Sequence, residues 1–127
     1  MVDPIDVVDR EGRGFRQEQV AGIGRRLKCL ARDLDIPIIV TAGLNRQRDR
    51  PVDVVPTLAD LGNNIALEKE ADLIVLLHRP NIEAGHSYNA VDEAKVVKHR
   101  HGPTGDVTQA FLKRFLRFEE NLDQFIH

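Results

Sequence analysis

Apolar residues recur at every third or fourth position from Val20 through Ile23, Leu27 and Leu30 to Leu34, with Arg25, Arg26, Lys28 and Arg32 on other faces. That period predicts an amphipathic helix beginning near Arg16. Gly22 and Gly24 each weaken such a helix by roughly 1 kcal/mol against alanine, so both are expected to mark close packing. Asp35-Ile36-Pro37 ends it, because the ring of Pro37 disfavours a helical Ile36. Two short segments, Ile38 to Ala42 and Asp72 to His78, read as buried strands, the first β-branched in the two-side-buried manner of a parallel sheet. Between them Thr57 to Asp60 has the form of a capped helix start. Glu93–Lys98 and Asp106–Phe111 flank His101-Gly102-Pro103-Thr104-Gly105, which is hairpin chemistry. Phe115 to Phe118 reads as a last short strand, and Leu122, Phe125 and Ile126 as the apolar stripe of a terminal helical turn. The polar stretches 10–15, 45–56 and 79–91 read as loops.

The order of elements predicts an α/β fold: a mainly parallel sheet with flanking helices and an appended C-terminal antiparallel hairpin. Ligands in such sheets sit beyond the carboxyl ends of parallel strands. Asp3, the stretch Thr41 to Asn45, and His78-Arg79 all fall at such ends. Met1-Val2 reads as the close of a core strand, which favours the latter half of a larger α/β domain over a short edge strand.

Composition narrows the function classes. The 127 residues hold 18 basic and 20 acidic side chains, a net charge of −2, which excludes a uniformly basic nucleic-acid binder. Any grip on DNA must be local. Cys29 is the single cysteine, so neither an intrachain disulfide nor a cysteine-rich zinc site can form. No apolar run approaches the roughly 18 residues of a membrane span, and Met1-Val2-Asp3-Pro4 has no signal-peptide character. A cytoplasmic domain is the expectation.

Some side chains could carry chemistry, each beside an ordinary structural role. Asp3 either holds the water shell of a Mg²⁺ on nucleotide phosphates or caps loop amides before Pro4. Lys98 and Arg100, two apart on a strand, are expected on one side, either as a pair of cations aimed at phosphate or as a basic face in solvent. His99 and His101 lack a third partner for a metal and read as surface imidazoles. His78 reads as a satisfied buried histidine, Asp60 as a helix cap and Glu68 as part of an exposed face. Arg46, Arg48 and Arg50 share a loop without aromatic residues, which allows phosphate contacts but does not indicate base stacking.

Taken in order, these segments resemble the C-terminal motor domain of the bacterial replicative hexameric DNA helicases, the DnaB family, which has a RecA-like fold of the P-loop NTPase type. Asp3-Pro4-Ile5-Asp6 is similar to the family's Walker B strand end, and Leu44-Asn45-Arg46 to the close of its Ser-Gln-Leu-Asn-Arg motif. Arg26-Leu27-Lys28-Cys29-Leu30-Ala31 with Ile36-Pro37-Ile38 resembles its helix and next strand. Ala59-Asp60-Leu61 through Glu68-Lys69-Glu70-Ala71-Asp72 keeps the spacing of a further family segment. The most specific likeness is Lys98-His99-Arg100-His101-Gly102-Pro103-Thr104-Gly105, which resembles the family hairpin Lys-x-Arg-Asn-Gly-Pro-Thr-Gly. Arg117-Phe118-Glu119 is similar to the final strand. The resemblance covers residues 1–120 as a partial domain and leaves 121–127 as a tail.

The resemblance implies roles. Asp3 would serve Mg-ATP from the Walker B position, touching the metal through water. Lys98 and Arg100 would act in trans as a finger on a neighbour's triphosphate, and Arg46, Arg48 and Arg50 would meet single-stranded DNA weakly and salt-sensitively. The partners would be other copies in a ring or an upstream half-domain. Departures accompany it: no Gly-x-x-x-x-Gly-Lys-[Ser/Thr] loop is present, the catalytic glutamate has no place, Gly43 stands where the family has Gln, and Gly62-Asn63 where it has Arg-Glu. The chain alone is therefore not expected to bind Mg-ATP tightly or to hydrolyse ATP. Two readings stand: part of an ATP-dependent replicative DNA helicase, or a degenerate, non-enzymatic remnant that keeps the fold for assembly or partner binding.

Overall fold

The structure, a computed structural model, describes residues 1–8, 15–45, 54–78, 91–112 and 115–120. The chain divides into two compact units, Met1–Arg46 with Leu58–Asp72, and Gln47–Thr57 with Leu73–His127.

The first unit is built on α1, Arg16–Leu34. Its buried face is Val20, Ile23 and Gly24, as the period requires, while Leu30 and Leu34 are exposed. At its end Asp35 takes a left-handed conformation (φ 52°, ψ 46°). The Ile36 N–H then donates to Ala31 O at 3.0 Å, a Schellman closure that satisfies a terminal carbonyl before Pro37. Ile5, in a short 3₁₀ turn at Ile5–Val7, is wholly buried against Val20 and Ile23. Val8, Leu27, Val40, Ala42, Ala66 and Leu67 pack around these three. Leu58–Lys69 is a 3₁₀ segment broken at Gly62 (φ 54°, ψ −124°). It lies close on α1: a methyl at Gly24 would stand 3.0 Å from Leu67 Cδ2. The expected close packing is therefore real at Gly24 and absent at Gly22, where a methyl would meet nothing within 4 Å. Lys28 pairs with Asp72, tying the helix to the end of this unit.

The second unit is a four-stranded antiparallel sheet, β1 (Leu73–His78), β2 (Val91–His99), β3 (Gly105–Leu112) and β4 (Arg117–Glu120), in that spatial order. Across it Lys95 faces Asp106 with their charges 3.9 Å apart, and the rings of Phe111 and Phe118 pack with centroids at 4.8 Å. The β1–β2 ladder slips by one residue: Ile74 faces Lys98 while Val75 faces Val96, so Val97 is the extra residue of a bulge.

The α/β class holds, but the balance within it differs from the expected mainly parallel sheet. Parallel pairing among the described residues is the single bridge Val2–Val40. Among the described residues Ile38 to Ala42 makes no longer ladder than this bridge. Nor is β1 buried throughout: Leu73, Val75 and Leu77 are exposed while Leu76 is buried. It pairs with the antiparallel β2, which fixes alternation rather than two-sided burial. The hairpin forms as expected, and the last strand lies at Arg117–Glu120, two residues beyond its expected place. The expected terminal helical turn falls outside the described residues.

Candidate functional site

Chemistry-bearing side chains gather in two places, one in each unit. In the first, the parallel clasp sets the geometry. The Val2 N–H donates to Ile39 O at 2.8 Å, the Thr41 N–H to Val2 O at 3.0 Å, and the Ile5 N–H to Thr41 O at 2.8 Å. Asp3 and Thr41 are thereby brought side by side at the carboxyl ends of their segments. The Thr41 hydroxyl donates to Asp3 Oδ1, and Asp3 is exposed. One carboxylate with one hydroxyl suits the outer water shell of a Mg²⁺ carried on a triphosphate. Direct chelation wants several oxygens at once, and among the described residues no group of three His, Cys, Asp or Glu could hold a metal ion. Asp6 pairs with Arg16.

Past Thr41 the chain is stitched to the 3₁₀ segment. The Asn45 N–H donates to Asp60 O at 2.6 Å, and Asn64 Nδ2 donates to Gly43 O at 3.4 Å. Asn64 is only 6% exposed, yet its Oδ1 has no hydrogen-bond partner among the described residues. The Asn45 carboxamide fills the place of the missing side chain at Gly62, where a Cβ would stand 2.0 Å from Asn45 Nδ2. Sequence reading saw at Gly43 and Gly62 only what was missing. Asn45 fills that space at Gly62, whereas Asn64 reaches only the Gly43 carbonyl: among the described residues a Cβ at Gly43 would meet nothing within 4 Å.

In the second unit the β2–β3 connection holds Lys98 and Arg100. Lys98 faces Ile74 across the ladder, but β2 ends at His99, and Arg100 opens the turn. Strand alternation thus does not govern Arg100; the turn does. His99 Nδ1 lies 3.2 Å from Pro103 O, and the ring lies against Gly102 so closely that a Cβ there would sit 2.4 Å from Cε1. His99, expected as a surface imidazole, is exposed but engaged. His78 departs further from expectation: its Nε2 is buried with no partner among the described residues. Arg46, Arg48 and Arg50 lie outside the described residues. None of the described helices is long and apolar enough to cross a membrane.

The family model for the DnaB-like helicase C terminal domain matches residues 1–120. The chain belongs to this family. Among DnaB relatives, the replicative DNA helicase DnaB of Leifsonia xyli subsp. xyli is 38% identical over 106 residues, which are 83% of this chain and 23% of that protein. The replicative DNA helicase DnaB of Geobacillus stearothermophilus is 32% identical over 121 residues, 93% of this chain and 27% of that protein. A solved DnaB-like replicative helicase, described with its interactions with primase, superposes with a TM-score of 0.81 at 33% identity over 93% of this chain and 29% of that one. A second solved structure, of an ATPase domain, superposes at 0.77, again at 33% identity, covering 88% of this chain and 40% of that one. The RecA-like α/β fold implied by the motifs is therefore the fold of this DnaB-family chain. It spans about a quarter of the length of these two curated relatives.

Proposed function

We propose that this chain supplies the latter part of an ATP-driven DNA helicase motor that works as a ring on single-stranded DNA. The observation that carries this reading is the hairpin from Lys98 to Gly105, which sets two cations beside a tight turn at the tip of a rigid antiparallel pair. In the complete motor Asp3 faces its own subunit's nucleotide, with Thr41 holding the carboxylate in place. Mg²⁺ bound with ATP neutralises phosphate charge there. Lys98 and Arg100 reach the neighbouring subunit's triphosphate and stabilise charge that grows on the transferred phosphoryl group. A finger given in trans joins unlike surfaces, so the ring is head-to-tail. Arg46, Arg48 and Arg50 serve single-stranded DNA through phosphate contacts. Primase, which accompanies one of the solved relatives, is a further partner on this reading.

The second reading, a remnant that keeps the fold for assembly, is favoured by one observation. Gly43 has no side chain to sense a phosphate, and its carbonyl is taken by Asn64. Subunit mixing separates the two. Residues 1–120 replace the aligned segment in the Geobacillus stearothermophilus helicase, and Arg100→Ala subunits are mixed with Asp3→Ala subunits. Partial recovery of ATP turnover, at interfaces that pair an intact Asp3 with an intact Arg100, supports action in trans. Exchanging rings whose mixture stays as inactive as either variant reject it. Assembly of the unmutated chimaera into rings with no turnover supports the remnant.

A further inference from the structure

Arg100 is not aimed by strand geometry, because β2 stops at His99. The last β2–β3 pair is Val96 with Gly105, so residues 97–104 extend beyond that ladder. Within this arm two features converge on one side chain. Pro103 O, a pure acceptor, lies 3.2 Å from His99 Nδ1, which assigns the proton to Nδ1. The imidazole also occupies the volume over Gly102, where a Cβ would lie 2.4 Å from Cε1, 2.5 Å from Nδ1 and 3.0 Å from Nε2. Gly102 does not have a positive φ, so its need for glycine is one of space.

We propose that His99 is a positioning residue: its ring, seated on Gly102 and bonded to Pro103 O, locks the turn that aims Arg100. This rests on the finger reading and adds to it the residue that holds the finger still. Because the ring closes a loop of five residues, 99 to 103, directly around Arg100, releasing it loosens the finger without removing its charge. A displacement of about 1 Å can cost on the order of 10²-fold in rate.

The test has two arms. In the chain itself, imidazole ¹⁵N spectra should show His99 protonated at Nδ1, and amide exchange across residues 100–105 should be read in Gly102→Ala, His99→Ala and the double variant. Gly102→Ala should speed exchange about tenfold alone and less than twofold when His99 is already alanine. A proton confined to Nε2, or an equal effect of Gly102→Ala in both backgrounds, overturns the lock. In the second arm, residues 93–112 replace the aligned hairpin of the Geobacillus stearothermophilus helicase. His99→Ala should lower kcat about 10- to 100-fold with KM within twofold, and His99→Asn, whose Nδ2 stands where Nδ1 does, should restore most of it. Loss of turnover in Arg100→Ala with none in His99→Ala rejects the positioning role and leaves the finger standing. Full turnover in Arg100→Ala rejects both.

Discussion

One chemical change, glycine to alanine, should have opposite signs at two positions of the first unit. At Gly62 the backbone sits at φ 54°, ψ −124°, a region closed to residues with a Cβ. Holding alanine there costs roughly 1–3 kcal/mol. The new methyl would also fall 2.0 Å from Asn45 Nδ2, so the Asn45 side chain must leave its place against the 3₁₀ segment. If the backbone bond from Asn45 to Asp60 loosens with it, a further ~1 kcal/mol is lost. The sum is about 2–4 kcal/mol. At Gly22, inside α1, a methyl meets nothing within 4 Å, and alanine gains about 0.5–1 kcal/mol from helix propensity. Urea unfolding followed by far-ultraviolet circular dichroism, which α1 dominates, reads both. With a slope of about 1.5 kcal/mol/M, Gly62→Ala should lower the midpoint by about 1.3–2.7 M and Gly22→Ala raise it by about half a molar. Adding Asn45→Ala to Gly62→Ala should recover the steric part and leave the backbone part. Equal stability of Gly62→Ala and the parent would refute the reasoning, since neither the φ penalty nor the collision could then be present.

Two further outcomes concern function. Purified chain should not turn over ATP, because it carries no backbone cradle or lysine for the phosphates; steady-state turnover that vanishes in Asp3→Ala would contradict this. Affinity for single-stranded DNA, read by fluorescence anisotropy, should be weak, fall steeply with salt, and disappear when Arg46, Arg48 and Arg50 are all alanine; binding unchanged in that triple variant would make the loop a solvated surface.

The hairpin and α1 were legible because their signals are local. A tight turn between alternating runs and a repeat of three or four residues each carry their own period. The parallel strand was over-read for the same reason: Ile38 to Ala42 has the composition of a central strand, but ladder length depends on partners, and Val2 alone bridges it among the described residues. Asp3 could be singled out from its place after a strand, whereas Thr41 as its partner could not, since 38 positions separate them. What Asn45 and His99 do was not legible, because it comes from the spaces left by Gly62 and Gly102. A sequence shows a glycine; it does not show which side chain moves in.

The extra residue at Val97 acts on the hairpin as a phase shift. Were Val97 paired in regular alternation instead of bulged out, Lys98 would project opposite to Lys95. With the bulge, Ile74, Leu76, Lys95 and Lys98 fall on one face, and His99 falls with Leu73 and Val96 on the other. The bulge absorbs Val97, so the pairs Leu73–His99 and Ile74–Lys98 stay in phase with those from Val75–Val96 to His78–Glu93. Deleting Val97 would close the bulge and leave Lys98 opposite Ile74, still on the face of Lys95. The bulge therefore lets β2 carry one residue more than β1 without parting its cations onto opposite faces.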